Sequence, residues 1–356
     1  MPKLTHTFEP NIIRKYDIRG IVNETLTTKD AHAIGFAFTH YLLEQSLEPT
    51  VTVMKDARQS GVALKEALIN GIVEAGGTVI DCNTGTSPMC YFASHHFKTS
   101  GFVMVTGSHN PLHHNGFKFG ITGKACSEEE IEHIAQIAKN GVLTKDGGKC
   151  VQNNVMEQYI ARIMQDFTPP KNLKFGLNAL NGAGGNIVKQ LANQINCLAF
   201  ECETNPNLKT VLDPSNTQNI KRMQEDLTKH GLDIIFAFDG DADRVMAITK
   251  NKVLYGDDIL LLCTREVLAK EKGKVIFDVK CSNTLAEEIL KHGGTPIMYK
   301  TGHSLIKKKM LEENAVLAGE CSGHIYFKHG YMALMTAFTQ QSDFFHILQK
   351  TTSTKQ

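Results

Sequence analysis

The feature that most constrains the fold of this chain is the alternation of short apolar runs with amphipathic stretches along most of its length. The apolar runs predict buried strands, and the amphipathic stretches predict helices that cover a sheet. Such an alternation is typical of α/β domains. In the first third of the chain it predicts strands at Thr50–Lys55, 78–81 and Gly101–Val105 and helices at 61–75 and 128–139.

The same pattern begins again twice further along the chain. We therefore expect an α/β fold with three consecutive, similar mixed α/β domains, which the length of 356 residues can accommodate. A polar stretch at 140–148 is the expected end of the first domain, and the third begins near Lys252. The expected domains are 1–148, 149–250 and 251–328. The later predicted elements are helices at 155–167, 258–270 and Asn283–Lys291 and strands at 173–179, 233–238, Lys274–Asp278 and Thr295–Tyr299.

Composition narrows the class of protein. The hydrophobic fraction of 42% and charged fraction of 21% are those of a soluble globular protein, and the net charge of +1 provides no basic face for nucleic acid. The N-terminus lacks the apolar core of a signal peptide, and no apolar run approaches a membrane span. The nine cysteines are scattered without a Cys-x-x-Cys pair, which indicates free thiols. We therefore expect a cytoplasmic protein with neither nucleic acid nor membrane as a partner.

One candidate site follows the apolar run Gly101–Val105, where the chain reads Thr-Gly-Ser-His-Asn-Pro at 106–111. The glycine and the Asn-Pro pair interrupt the strand and hold the hydroxyl of Ser108 at the C-terminal edge of the sheet. Open α/β sheets bind ligands at this edge. An ordinary turn of small polar residues has the same composition, so the loop alone does not establish a site.

A second loop follows the apolar run 233–238 and reads Asp-Gly-Asp-Ala-Asp-Arg at 239–244. Three carboxylates at alternating positions raise one another's pKa unless a cation lies between them. Asp239, Asp241 and Asp243 can turn inward on one divalent ion, and Mg²⁺ suits a few carboxylates together with a phosphate oxygen. An EF-hand is a poor match, because Arg244 stands where its glycine is required. Arg244 beside such a site suits phosphate, whereas the alternative is a solvated acidic turn.

A third loop reads Gly-Glu-Cys-Ser-Gly-His at 319–324. Glu320, Ser322 and His324 offer donors and acceptors suited to vicinal sugar hydroxyls, although a polar turn would look the same. A Ser-His-acid hydrolase is set aside, because Ser322 and His324 are two positions apart and no nucleophile elbow is present. The glycine-rich segment 181–185 lacks the Walker lysine and indicates tight strand–helix packing.

Taken together, these segments resemble the α-D-phosphohexomutases, specifically the bacterial phosphomannomutase/phosphoglucomutase branch. The resemblance extends over about residues 9–328 and rests on five motifs that match the family in order and separation. Cys321 stands where this branch usually has methionine, and a phosphoglucosamine mutase-like substrate preference is the alternative. The matching motifs are 15–20, 106–111, 239–244, 301–304 and 319–324.

The resemblance implies interconversion of hexose 1- and 6-phosphates, of mannose or glucose, through a phosphoserine at Ser108 and a bisphosphorylated sugar. It implies Mg²⁺ as cofactor, glucose 1,6-bisphosphate or an equivalent as activator, a phosphosugar as the small-molecule partner, and a monomer. The implied metal ligands are phosphorylated Ser108, Asp239, Asp241 and Asp243. The implied catalytic residues are Ser108, His109, Lys118 and Arg244. The implied substrate-binding residues are Tyr16, Arg19, Asn110, His303, Glu320, Ser322 and His324.

The C-terminal end departs from the family pattern. The resemblance implies a fourth domain that grips the non-transferring phosphate, and no such sequence follows here. A single-base shift of the reading frame near codons 328–330 would permit Gly-Phe-Asp-Asp-Gly-Val-Tyr at the family's spacing. We therefore expect an incomplete third domain, an out-of-frame tail at 329–356 and severely reduced mutase activity. A non-catalytic phosphosugar-binding remnant and a metal-dependent phosphatase are the competing functions.

Overall fold

The computed structural model of the chain describes residues 3–143, 147–165, 167, 173–204 and 211–328. The chain forms two compact units, Met1–Glu157 with Asn205–Val211 and Gln158–Thr204 with Leu212–Gln356. The first unit contains one large sheet, and the second contains two smaller sheets. The predicted α/β class with three similar mixed domains is confirmed.

The large sheet of the first unit has the strand order β2-β6-β5-β3-β4-β9, with β7 beside β6. Strands β5, β3, β4 and β9 are parallel, whereas β6 runs antiparallel to β5 and β2. A separate two-stranded ladder joins β1 to β8. The elements are β1 (Lys3–Leu4), a 3-10 turn (Pro10–Ile12), β2 (Ile18–Ile21), α1 (Thr28–Glu44), β3 (Thr50–Lys55), α2 (Gly61–Glu74), β4 (Thr78–Thr84), α3 (Ser87–Phe97), β5 (Gly101–Val105), β6 (His114–Ile121), β7 (Lys124–Ala125), α4 (Glu128–Asn140), β8 (Val142–Leu143) and β9 (Lys149–Gln152).

The second unit contains sheets of order β11-β10-β12-β13-β14 and β16-β15-β17-β18. Each of the two sheets has its own buried apolar cluster. The elements are α5 (Met156–Gln165), β10 (Phe175–Asn178), α6 (Gly185–Ile195), β11 (Leu198–Phe200), α7 (Thr217–His230), β12 (Ile234–Phe238), β13 (Val245–Thr249), β14 (Val253–Leu254), α8 (Gly256–Lys270), β15 (Lys274–Asp278), α9 (Asn283–Lys291), β16 (Thr295–Tyr299), α10 (His303–Glu312), β17 (Leu317–Gly319) and β18 (Ile325–Phe327).

All three sheets share one connectivity. In each, the first strand lies between the second and the third, which are parallel to it, and the fourth pairs antiparallel with the third. The sets are β3–β6, β10–β13 and β15–β18, each taken in chain order. Every residue of the third strand is buried, as expected for strands covered on both faces. A rigid, buried strand therefore leads into the same connection in each sheet.

Helices α1 and α2 pack against each other at unusually close range. A Cβ on Gly35 would lie 2.1 Å from the Leu68 carbonyl oxygen, and one on Gly71 would lie 2.0 Å from that of His32. Glycine at both positions lets the two helix backbones approach each other. Helix α1 begins with a capping box in which Thr27 and Asp30 satisfy each other's backbone N–H groups.

Most predicted elements have the expected bounds or differ by a few residues, but one boundary is wrong. Strand β9 pairs in parallel with β4, so 149–152 belong to the first sheet and not to the second domain. The four exposed residues of β9 gave no sign of this, because an edge strand is held mainly by its backbone. The predicted tail at 329–356 lies outside the described residues.

All nine cysteines are free thiols in the structure. Over the described ranges, no helix has the length and apolar character needed to cross a membrane.

Candidate functional site

The three loops that the sequence singles out occupy the same topological position. Each joins the third strand of its sheet to the antiparallel fourth strand. Ser108 lies between β5 and β6, the three aspartates between β12 and β13, and the 320–324 segment between β17 and β18. The carboxyl end of a buried strand thus presents each set of polar side chains.

Ser108 is 2% exposed and has a left-handed backbone, with φ of 49°. Its backbone N–H donates to Thr106 Oγ1 at 2.8 Å. Its Oγ lies 3.2 Å from His109 Nδ1, so the structure brings the predicted nucleophile and a predicted proton-transfer group together. Asn110 lies in the turn that follows, where its backbone N–H donates to Gly107 at 3.0 Å.

Two residues that were not predicted from the sequence, Asp56 and Arg58, hold the Ser108 loop in place through hydrogen bonds. Asp56 and Arg58 follow β3, the parallel neighbour of β5. Asp56 Oδ2 accepts hydrogen bonds from Thr106 Oγ1 at 2.8 Å and from the backbone N–H of Gly107 at 3.1 Å. The Arg58 guanidinium, 1% exposed, donates to Asp56 and to four loop carbonyls. Charged residues directly after a buried strand were the available sequence signal.

The first unit contributes three further predicted residues. Lys118 lies on β6, is 5% exposed and donates from Nζ to Ser87 Oγ at 3.3 Å. Arg19 lies on β2 opposite Gly116, and its Nη2 contacts Asp17 Oδ2 at 2.5 Å. The buried Arg19 Nε has no hydrogen-bond partner among the described residues. Tyr16 is partly exposed before the strand begins.

The aspartate loop is a tight hairpin between β12 and β13. Asp239 Oδ1 accepts the backbone N–H groups of Asp243 and Arg244, both at 3.2 Å. Ala242 has a φ of 54°, which turns the chain back toward β13. The 181–185 segment contacts this hairpin, because the Ala183 N–H donates to the Gly240 carbonyl at 2.9 Å.

This hairpin gathers three buried carboxylates. One oxygen from each of Asp239, Asp241 and Asp243 lies within 4.8 Å of the others. Three buried anions at this separation repel strongly without a cation, and oxygen donors of this kind suit a hard divalent ion. The residues present therefore fit a metal ion at this position.

Arg244 directly follows the three aspartates and interacts electrostatically with their carboxylates. Burial opposes the charge of the guanidinium, but Asp239, Asp243, Asp241 and Glu320 outweigh that effect and raise the pKa of Arg244. Its Nε is buried and has no hydrogen-bond partner among the described residues. Arg244 is therefore a permanent cation that keeps a donor for an anionic ligand.

The third loop is joined to the second through His324. His324 Nε2 lies 3.2 Å from Asp243 Oδ1, and Nδ1 lies 3.0 Å from both Glu320 Oε2 and Ser322 Oγ. Burial lowers the pKa of His324, but the neighbouring Asp243 and Glu320 outweigh it and raise the pKa to about 8. The His303 ring stacks on the His324 ring at 5.7 Å between centroids. These predicted sugar-binding residues therefore form one cluster.

Asp278, at the end of β15, has the role that Asp56 has in the first unit. Its carboxylate accepts Thr301 Oγ1 at 2.7 Å and the backbone N–H of Cys321 at 3.0 Å. Glu320 Oε1 in turn accepts the Gly302 N–H at 2.7 Å. Asp278, which the sequence analysis did not select, thus ties the 301–304 and 319–324 motifs together.

Comparison with known proteins agrees with this arrangement. Models of phosphoglucomutase/phosphomannomutase α/β/α domains I, II and III match residues 10–145, 157–252 and 255–340. The chain is 38% identical over 346 residues to a phosphomannomutase/phosphoglucomutase of Pseudomonas putida, covering 96% of this chain and 74% of that protein. It is 37% identical to a phosphoglucomutase of Neisseria gonorrhoeae, covering 89% of this chain and 70% of that protein.

A solved structure shows the same likeness. A phosphoglucomutase/phosphomannomutase family protein from Burkholderia thailandensis superposes with a TM-score of 0.85 at 35% identity, covering 93% of this chain and 76% of that one. The fold and the site define a class of α/β enzymes with three similar domains and a loop of buried carboxylates. The chain belongs to the phosphoglucomutase/phosphomannomutase family.

Proposed function

We propose that this chain is a phosphohexomutase that interconverts hexose 1-phosphate and hexose 6-phosphate through a phosphoserine and a bisphosphorylated sugar. The observation that carries the proposal is the buried triad of Asp239, Asp241 and Asp243 with the cationic Arg244 directly after it. The names of relatives, which include both phosphoglucomutases and phosphomannomutases, support glucose and mannose as the sugars. The predicted reduction of mutase activity stays a prediction.

In this proposal Ser108 is the phosphoryl carrier. His109 Nδ1, 3.2 Å from Ser108 Oγ, is within reach to accept the hydroxyl proton when the serine attacks a phosphoryl group. Lys118, buried on β6, is the second proton-transfer candidate, and Arg19 and Asn110 orient the phosphosugar.

The three aspartates would hold Mg²⁺, with the Ser108 phosphoryl group as a further ligand by family resemblance. When bound, the metal supplies charge neutralisation for the transferring phosphoryl group. Arg244 adds a fixed positive charge through its remaining donor.

The 320–324 cluster would hold the sugar. Glu320 is fixed by the Gly302 N–H and by His324, so its carboxylate is pre-oriented before a ligand arrives. Ser322 is exposed and offers a hydroxyl, and His303 stacks on His324 beside it. Polar groups of this kind can grip hydroxyls in two sugar orientations, which an apolar pocket cannot do. A bisphosphorylated sugar such as glucose 1,6-bisphosphate is the expected activator.

The test compares Ser108→Ala with the wild type and with Ser94→Ala, which removes a buried hydroxyl on α3 instead. Wild type and S94A should convert glucose 1-phosphate or mannose 1-phosphate and take up phosphate at residue 108 from glucose 1,6-bisphosphate. S108A should do neither, with a loss of at least about 10³-fold in kcat. Phosphorylation of S108A, or release of inorganic phosphate faster than sugar isomerisation, would contradict the proposal.

A further inference from the structure

The Ser108 loop is built around a buried arginine that the proposed chemistry does not use. We propose that Arg58, held by Asp56, is the positioning residue that fixes the Ser108 hydroxyl for reaction. This inference rests on the function proposed for Ser108.

All five N–H donors of Arg58 are accounted for by the protein. Nε donates to Asp56 at 3.1 Å, and Nη2 donates to the carbonyls of Ser108 and Asn110, both at 2.6 Å. Nη1 donates to the carbonyls of Pro111 at 2.7 Å and His114 at 3.1 Å. A guanidinium with its donors filled cannot also bind phosphate, so Arg58 acts through the loop.

These bonds hold both sides of the serine. The Ser108 carbonyl accepts from Arg58 Nη2, and the Ser108 N–H donates to Thr106 Oγ1. Thr106 Oγ1 in turn donates to Asp56, the carboxylate that also pairs with Arg58. The Asp56–Arg58 pair therefore restrains both peptide groups flanking Ser108, whose left-handed φ of 49° is costly for a residue with a side chain.

Gly107 shows how closely the loop is fitted to the guanidinium. A Cβ at this position would lie 2.5 Å from both Cζ and Nε of Arg58, too near for any side chain. The backbone thus lies directly against the arginine, and the loop shape depends on where Arg58 is.

The direction of Oγ is set by this backbone. A nucleophile displaced by about 1 Å can lose about 10²-fold in rate, although substrate binding is unchanged. Loss of the Arg58 guanidinium and its hydrogen bonds should therefore lower kcat and leave KM nearly constant, because Arg58 touches no substrate.

The experiment compares Arg58→Lys, which keeps the charge without the planar fork, with Arg58→Met, which removes both. Each variant is assayed at a temperature where circular dichroism shows it folded. Amide hydrogen exchange is followed over 106–114, and kcat and KM are measured for glucose 1-phosphate with glucose 1,6-bisphosphate. We expect faster exchange across the loop and a kcat about 10²-fold lower in both variants, with KM changed less than about threefold.

Lys65→Met is the matched control, because Lys65 on α2 makes a largely buried ion pair with Asp81 on β4, at 2.6 Å, in the same unit. It should leave kcat and loop exchange unchanged. Thr106→Val should reproduce the Arg58 defect, whereas Thr106→Ser, which keeps the hydroxyl, should not. Wild-type loop exchange and kcat in folded R58K and R58M would overturn the inference. A wild type without mutase activity would instead refute the proposed function, and loop exchange would still show whether Arg58 orders the loop.

Discussion

At the scale of single residues, the buried arginines differ in what they leave for a ligand. Arg58 gives all five donors to the protein, whereas Arg19 and Arg244 each have a buried Nε without a hydrogen-bond partner among the described residues. The first pattern is that of a scaffold and the second that of an anion-binding group. Arg19 and Arg244 belong to recognisable sequence motifs, whereas Arg58 does not, because its loop partners lie about fifty positions away in the chain.

The aspartate triad carries a prediction that needs no activity assay. In the metal-free protein the three buried carboxylates repel, so Asp241→Asn should raise the free energy of unfolding by about 1–3 kcal/mol. The same substitution removes a ligand oxygen charge and should greatly reduce the stabilisation that Mg²⁺ gives the wild type. Thermal unfolding of both proteins with and without Mg²⁺ measures the two effects.

Asp226→Asn on α7 controls for the loss of a negative charge in the same unit. This control should change neither the midpoint temperature of unfolding without metal nor the increase in that temperature when Mg²⁺ is added. Equal stabilisation of wild type and D241N by Mg²⁺ would contradict a metal site at the triad.

At the scale of elements, the end of the first strand in two of the sheets carries a carboxylate that holds neighbouring loops. Asp56, directly after β3, holds the Ser108 loop, and Asp278, the last residue of β15, holds the 301–304 and 319–324 loops. In a parallel sheet the carboxyl ends of neighbouring strands lie at one edge, so such a residue reaches adjacent connections. Neither aspartate belongs to a motif that sequence analysis could single out.

The sequence predicted most of the parallel strands, although it missed β9 and β11, and it left out the antiparallel ones. Strands β3, β5 and β15 are apolar runs with the predicted bounds. Strand β6 was not predicted, because it carries glycine, asparagine and lysine, although Asn115 and Lys118 are buried within it. Buried polar residues conceal a strand from hydropathy patterns, and here they lie beside the candidate site.

At the scale of one element, the N-terminal cap of α1 should stabilise the fold by an amount that depends on pH. Burial raises the pKa of Asp30, but hydrogen bonds from His6 and Thr27 outweigh it and place the pKa below its usual 3.8. A lowered folded-state pKa means that the carboxylate stabilises the fold above pH 3.8 and loses this contribution as the pH falls through the folded value. Asp30→Asn should therefore cost about 1 kcal/mol at neutral pH.

Urea unfolding at several pH values tests the capping prediction. The difference between wild type and D30N should shrink as the pH falls below 3.8. Glu225→Gln, an exposed carboxylate on α7, should show no such trend. A difference between wild type and D30N that stays constant with pH would show that the carboxylate charge is not what stabilises the cap.

At the scale of the whole molecule, the two compact units contain separate apolar clusters. Leu68 on α2 is fully buried in the cluster of the first unit, and Ile235 on β12 is fully buried in a cluster of the second. Truncating either side chain to alanine should cost about 2–5 kcal/mol, because it leaves a cavity in a close-packed interior. We expect the loss to fall on the unit that contains the substitution, since stability is distributed over locally cooperative regions.

Amide hydrogen exchange under native conditions shows whether a substitution destabilises only its own unit or the whole chain. Leu68→Ala should accelerate exchange in β3, β4 and β5, and Ile235→Ala should accelerate it in β10, β12 and β13, each leaving the other set unchanged. Val62→Ala on α2, where the side chain is 46% exposed, should alter neither set, because little apolar contact is lost. If both core variants accelerated both sets equally, the chain would unfold as one cooperative block. Mutations in one unit would then lower the populated fraction of every candidate site in the molecule, and kinetic effects of core and site substitutions could be compared only after correction for the unfolded fraction.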